Sequence, residues 1–78
     1  MAMTELLNSI VGVRVQDEQG AKYTVIGYKD LHAIYIVLRD TLGNDILVNL
    51  ERYDQMTQIA DGKSWEDYAK VPYTISAW

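Results

Sequence analysis

The stretch Val11–Leu50, VGVRVQ DEQG AKYTVIGY KDLH AIYIVLR DTLGN DILVNL, decides the fold. It alternates runs rich in β-branched and aromatic residues with short Gly/Asp/Asn clusters, the pattern of antiparallel strands joined by tight turns. The strands predicted are Val11–Gln16, Ala21–Tyr28, Ala33–Arg39 and Asp45–Leu50. In the first, Val11, Val13 and Val15 alternate with Gly12, Arg14 and Gln16, so one face is buried and the other solvated. Gly20 supplies the positive φ of the first turn, and Gly27 suits a bulge or a sharp corner. The second strand (Tyr23, Val25 and Gly27 on one side, Thr24, Ile26 and Tyr28 on the other) and the third (Ile34, Ile36 and Leu38 against Ala33, Tyr35, Val37 and Arg39) lack a clean polar face. Such strands need cover on both sides.

On either side of the meander the patterns change. Thr4–Ile10 reads as a short N-terminal helix, with Thr4 as cap and Leu6, Leu7 and Ile10 as its apolar face. Glu51-Arg52-Tyr53-Asp54 reads as a tight turn or 3₁₀ step, and Asp61-Gly62-Lys63 as a turn. Ser64-Trp65-Glu66-Asp67 opens a helix over about Trp65 to Lys70, stopped at Val71-Pro72. Tyr73–Trp78 alternates strictly and returns as a fifth, closing strand.

The 78 residues make a single domain, 1–78, small enough to bury only roughly 60% of its unfolded surface. With no cysteine there is no disulfide and no thiolate metal site, which fits a reducing cytosol. No apolar run approaches the ~20 residues of a membrane span, and Met1-Ala2-Met3-Thr4-Glu5 has no basic n-region or signal-peptide core. The expected setting is the cytoplasm.

The net charge of −4 is unevenly placed. Up to Arg39 acids and bases balance; from Asp40 to Asp67 seven acids face only Arg52 and Lys63. A negative field there disfavours direct nucleic-acid binding and favours a basic protein partner, while the plainer reading is a solvated surface.

The meander, the short helix and the returning strand resemble the SH3-like barrel superfamily, including Tudor-like and small phage or prokaryotic accessory domains. Val11–Val15, Gly20-x-x-Tyr23-Thr24-Val25 and Asp40–Asn44 leading into Val48–Glu51 carry that resemblance, over about half the chain. It implies a mainly β fold: a five-stranded antiparallel barrel or strongly bent sheet, with a short N-terminal helix and one short helix before the last strand. It also implies a binding module rather than an enzyme. The proline-binding groove of true SH3 domains is not recognisable, so no ligand residues carry over.

His32 beside Asp30 has the makings of an acid–base pair, but spacing suggests no nucleophile, and a loop histidine is ordinarily a surface residue. One His and no Cys make no transition-metal set, and Asp40–Asp45 lacks the closing Glu of a calcium loop. The five glycines are scattered and form no phosphate loop. No catalytic residue, metal or cofactor is expected.

Two candidate binding sets remain. Tyr53, Asp54, Asp61, Trp65, Glu66, Asp67 and Tyr68 would form an aromatic anchor ringed by acids, facing a basic protein. The alternative is that Trp65 and Tyr68 dock a helix on the barrel. Arg14, Tyr23, Tyr28, Tyr35 and Arg39, with Lys22 and Lys29 nearby, would form a face for a small ligand or nucleotide, stacking worth on the order of 1–3 kcal/mol per base. Against it stands the reading in which the tyrosines fill the barrel and the charges solvate it.

The function expected is a non-enzymatic protein-interaction module that self-associates through a strand edge or an apolar sheet face. Its size and charge asymmetry resemble small phage-encoded inhibitors of a host enzyme or defence complex, of the anti-CRISPR type, which would place it in the host cytoplasm. The alternatives are an oligomeric ligand or nucleotide binder and a structural subunit of a larger assembly.

Overall fold

The computed structural model describes residues 3–62, 64 and 65. Six elements follow one another: α1 (Met3–Ser9), β1 (Arg14–Gln16), β2 (Lys22–Asp30), β3 (Ile34–Asp40), β4 (Asp45–Asn49) and α2 (Leu50–Asp61). The strands form one antiparallel sheet in the order β1-β2-β3-β4. Within the described residues this sheet is open, with β1 and β4 as its edges. The expected closing strand, Tyr73–Trp78, lies outside the described residues, as does the expected helix beyond Trp65.

The meander lies where the pattern placed it, with shifted ends. β1 starts three residues later than expected, because Gly12 takes φ +97° and the Val13 N–H donates to the Ile10 carbonyl in the turn that leaves α1. β2 and β3 run on to Asp30 and Asp40. The two flanking turns are built alike. Asp17 Oδ1 accepts from the N–H of Gln19 and Ala21, and Asp40 Oδ1 from Leu42 and Asn44, all at 2.9 Å. In each, a glycine three residues after the aspartate, Gly20 at φ +83° or Gly43 at φ +87°, donates its N–H to the aspartate carbonyl. Asp-x-x-Gly is thus a turn unit used twice, in which a carboxylate satisfies two donors and glycine supplies the left-handed step.

The bulge expected at Gly27 exists. Val25 pairs with Leu38 and Gly27 with Val37, so Ile26 and Gly27 together oppose one residue. The extra residue reverses the alternation. Tyr23 and Val25 precede it on the inner face, and Tyr28, opposite Ile36, rejoins them there. The sequence pattern had put Tyr28 on the other side.

The main correction concerns Glu51–Asp54. It is no turn but the first part of α2, a helix of 12 residues. Asn49 caps it: its side-chain Oδ1 accepts from the Arg52 N–H at 2.7 Å. Gly62 ends it at φ +70°, donating its N–H to the Gln58 carbonyl. Leu50 therefore belongs to the helix and not to β4.

Both helices pack on the same face of the sheet. Leu7 and Ile10 from the α1 segment, Val13, Val15, Val25, Ile36 and Leu38 from the sheet region, and Tyr53 and Met56 from α2 form the core, with Trp65 against it. α1 reaches the core beside β2, and α2 crosses from the end of β4 to β1.

Candidate interaction surface

Strand alternation and register together define the opposite face of the sheet. Four cross-strand rows run over it: Gln16–Lys22, Arg14–Thr24–Arg39–Asp45, Gly27–Val37–Leu47 with Ile26 beside Gly27 in the bulge, and Lys29–Tyr35–Asn49. Among the described residues no helix packs on this side, since α1 and α2 are both committed to the core face. The expectation that β2 and β3 are apolar on both faces therefore describes a real surface, with Ile26, Val37 and Tyr35 half-buried and Leu47 48% exposed.

The charge on this face runs against that of the chain. Arg14, Lys22, Lys29 and Arg39 all stand on it, and among the described residues of its four rows the one acid is Asp45. Arg39 grips Asp45 with two hydrogen bonds, Nε to Oδ1 at 2.8 Å and Nη2 to Oδ2 at 3.2 Å. That contact holds the Asp45 carboxyl below its usual range and raises the Arg39 guanidinium. A basic, partly apolar sheet face on a protein of net charge −4 means that the acids lie elsewhere.

Many of them lie at the end of the sheet where the two Asp-x-x-Gly turns sit. Tyr23 pairs in register with Asp40 and aims its hydroxyl at Asp17 Oδ2, 3.5 Å away. Burial, and then the Asp17 charge, push the Tyr23 phenol up. Arg52 from the first turn of α2 meets Glu18 of the first turn unit, Nη1–Oε1 at 2.5 Å and Nη2–Oε2 at 3.2 Å, which lowers the Glu18 carboxyl. Asp40 is also lowered, chiefly by the N–H groups of its own turn, that of Asn44 first. These acids hold loops and a helix in place.

The predicted aromatic–acidic set is divided by the structure. Tyr53 is wholly buried and Trp65 nearly so, so neither ring serves as an exposed anchor. Their amphipathic rings close the core between α2 and the sheet. Asp54 is half-buried: Oδ1 accepts from the Trp65 N–H at 2.9 Å and Oδ2 from Gln58 Nε2 at 2.8 Å. Asp61 is exposed at the end of α2. Glu66, Asp67 and Tyr68 lie outside the described residues.

The alternative ligand set is divided too. Arg14, Tyr35 and Arg39 share the outer face, whereas Tyr23 and Tyr28 pack on the core side. His32 is exposed at the tip of the β2–β3 hairpin, where the Leu31 N–H donates to the Ala33 carbonyl. Ile26, Val37 and Leu47 were absent from both sets. The signal for Ile26 and Val37 was the unmatched apolar parity of β2 and β3, and that for Leu47 was plain alternation in β4.

Among the described residues no helix is long and apolar enough to cross a membrane. The chain matches no protein-family model, no curated protein and no solved structure.

Proposed function

We propose that this chain is a non-enzymatic interaction module, of the SH3-like small-barrel kind, that docks on another protein through the outer face of its sheet. One observation carries the reading: a whole sheet face without cover among the described residues, with an apolar row through Val37 and Leu47 between rows bearing Arg14, Arg39, Lys22 and Lys29. An apolar centre flanked by charged and polar residues is how docking surfaces are built. The cations suit a partner with an acidic surface, so the partner chemistry is the reverse of the basic one first expected. The finer form of the proposal is a small phage-type inhibitor that occupies a functional surface of a host enzyme or defence complex. Small size and segregated charge support it. A fifth strand from the Tyr73–Trp78 segment belongs to the same reading in its bent-sheet form, added along β1 so that the β4 edge stays open.

The test is co-purification from the native host with the wild type and with the double variant Lys22→Glu/Lys29→Glu, followed by affinity measurement at two salt concentrations. Loss of binding in the variant, with weaker wild-type binding at high salt, supports the proposal. A partner retained at unchanged, salt-insensitive affinity refutes it. A second reading, a nucleotide bound on the same face, draws support from Arg14, Arg39 and Tyr35 sharing it. A thermal-shift screen against nucleotides decides it, a shift abolished by Tyr35→Ala being the positive result.

A further inference from the structure

We infer that β4 is the contact between two copies of this chain, pairing antiparallel with its own symmetry mate about Leu47 and joining the two sheets edge to edge. The first support is the phase of the hydrogen bonding. The Asp40 N–H donates to the Asn44 carbonyl at 2.9 Å. Bonding alternates along an antiparallel pair, so Leu38–Ile46 and Ile36–Val48 are the bonded pairs that follow. The backbone N–H and C=O of Asp45 and Leu47, and the N–H of Asn49, therefore point away from β3. Among the described elements β4 touches β3 and α2 alone, and α2 crosses the core face, so nothing described lies along that edge.

The second support is what β4 lacks. Exposed edges are ordinarily blunted by lysine, proline or a bulge. β4, Asp45-Ile46-Leu47-Val48-Asn49, has none of these and exposes two neighbouring aliphatic side chains, Ile46 at 38% and Leu47 at 48%. The opposite edge, β1, is only three residues long and has α2 against it.

The third support is complementarity in one register. A two-fold axis at Leu47 sets Leu47 against Leu47, Ile46 against Val48 and Asp45 against Asn49 of the second copy. Leu47 groups face each other as a bonded pair, which uses the outward N–H and C=O. No charge meets its like. The Asn49 Oδ1 is already engaged by the Arg52 N–H, which leaves its amide NH₂ as a donor for the Asp45 carboxylate of the other copy. On the outer face the apolar row becomes continuous across the axis, and on the core face Ile46 gains an aliphatic neighbour.

A strand-edge contact sits at the small end of interface sizes, so the dimer is a micromolar one, populated at ~100 µM. Light scattering after size exclusion at that concentration should report a mass of two chains for the wild type. Leu47→Lys puts two ammonium groups on the axis and should give one chain, with an unchanged circular dichroism spectrum. The chain has no cysteine. In Leu47→Cys the two introduced thiols lie where bonded strand pairs hold Cβ atoms about 5.5 Å apart, a gap that a short bifunctional thiol reagent spans, and crosslinking should yield a covalent dimer. A wild type that stays monomeric at ~1 mM, a folded Leu47→Lys that still dimerises, or a Leu47→Cys that the short reagent does not crosslink to a dimer would each overturn the inference. None of these outcomes depends on what the outer face binds.

Discussion

The carboxylate of Asp54 accepts a hydrogen bond from the backbone N–H of Trp65 at 2.9 Å, tying the chain that follows α2 back to the middle of that helix. The same aspartate accepts from Gln58 Nε2 through its other oxygen and from Thr57 Oγ1 through its carbonyl. Trp65 is thereby held in the core at 6% exposure. Asp54→Ala removes both side-chain bonds at a half-buried position and should cost about 1–2 kcal/mol. In a Trp78→Phe background, where Trp65 is the single indole, its fluorescence should shift to the red. Unchanged emission and stability would mean that the anchor is immaterial.

The bulge gives a sharper prediction. Deleting Ile26 would remove the bulge and restore strict alternation in β2 with the pairing unchanged: Gly27 still opposes Val37 and Tyr28 still opposes Ile36 on the core face. Lys29 stays on the outer face opposite Tyr35, so the variant should still fold cooperatively, whereas a second residue inserted beside Ile26 would enlarge the bulge and lower stability. Ile26→Val keeps the residue count and should differ from the wild type by no more than about 1.5 kcal/mol. Denaturant titration of the pair separates the role of the extra residue from that of its side chain.

The two faces of β3 should respond oppositely to truncation. Leu38 is fully buried beside Val25, and Leu38→Ala should cost about 2–5 kcal/mol. Its neighbour Arg39 lies on the outer face in an exposed ion pair, and Arg39→Gln should leave stability near wild type. Thermal melts followed by circular dichroism check both.

Gly62 ends α2 at φ +70°, yet a methyl group added there would meet nothing within 4 Å. Gly62→Ala therefore isolates the backbone term, and a loss of about 1 kcal/mol is expected. Asn49→Ala at the other end of the helix removes the acceptor for the Arg52 N–H and should cost a similar amount, about 1 kcal/mol.

Acid should weaken the fold in a definite window. Glu18, Asp40 and Asp45 have carboxyls lowered in the folded state, by Arg52, by the Asn44 N–H and by Arg39 respectively. An unfolded chain then takes up protons before the folded one does, near pH 4. Their stabilisation is complete above that range and is lost as pH falls through the lower folded values. Urea midpoints should be level from pH 7 to about 5 and decline below about 4. Because Glu18 and Asp45 are exposed and paired with arginines, their share of the decline should shrink at high salt. Asp40→Asn keeps the turn acceptor without the charge and should flatten the curve.

Much of this fold was local and therefore legible. The Asp-x-x-Gly turns need a short acceptor and a glycine at set offsets, and strand alternation between them follows from the pleat; both are written within a few residues. The strands and turns of Val11–Leu50 and the bulge at Gly27 belong to this part. What tertiary structure decided depends on partners distant in sequence. Leu50–Asp61 contains Tyr53, Asp54 and Thr57, weak helix formers, and becomes a helix because Tyr53 and Met56 bury against the sheet, with Arg52 reaching Glu18 across 34 residues of chain. Tyr53 and Trp65 looked like surface anchors because an aromatic ring serves equally as core filler or as contact, and only packing chooses between them. The sequence by itself determined that a sheet would form and where it would turn. Which of its faces the helices would cover, and hence which face is left for a partner, was decided by long-range burial, which local pattern does not express.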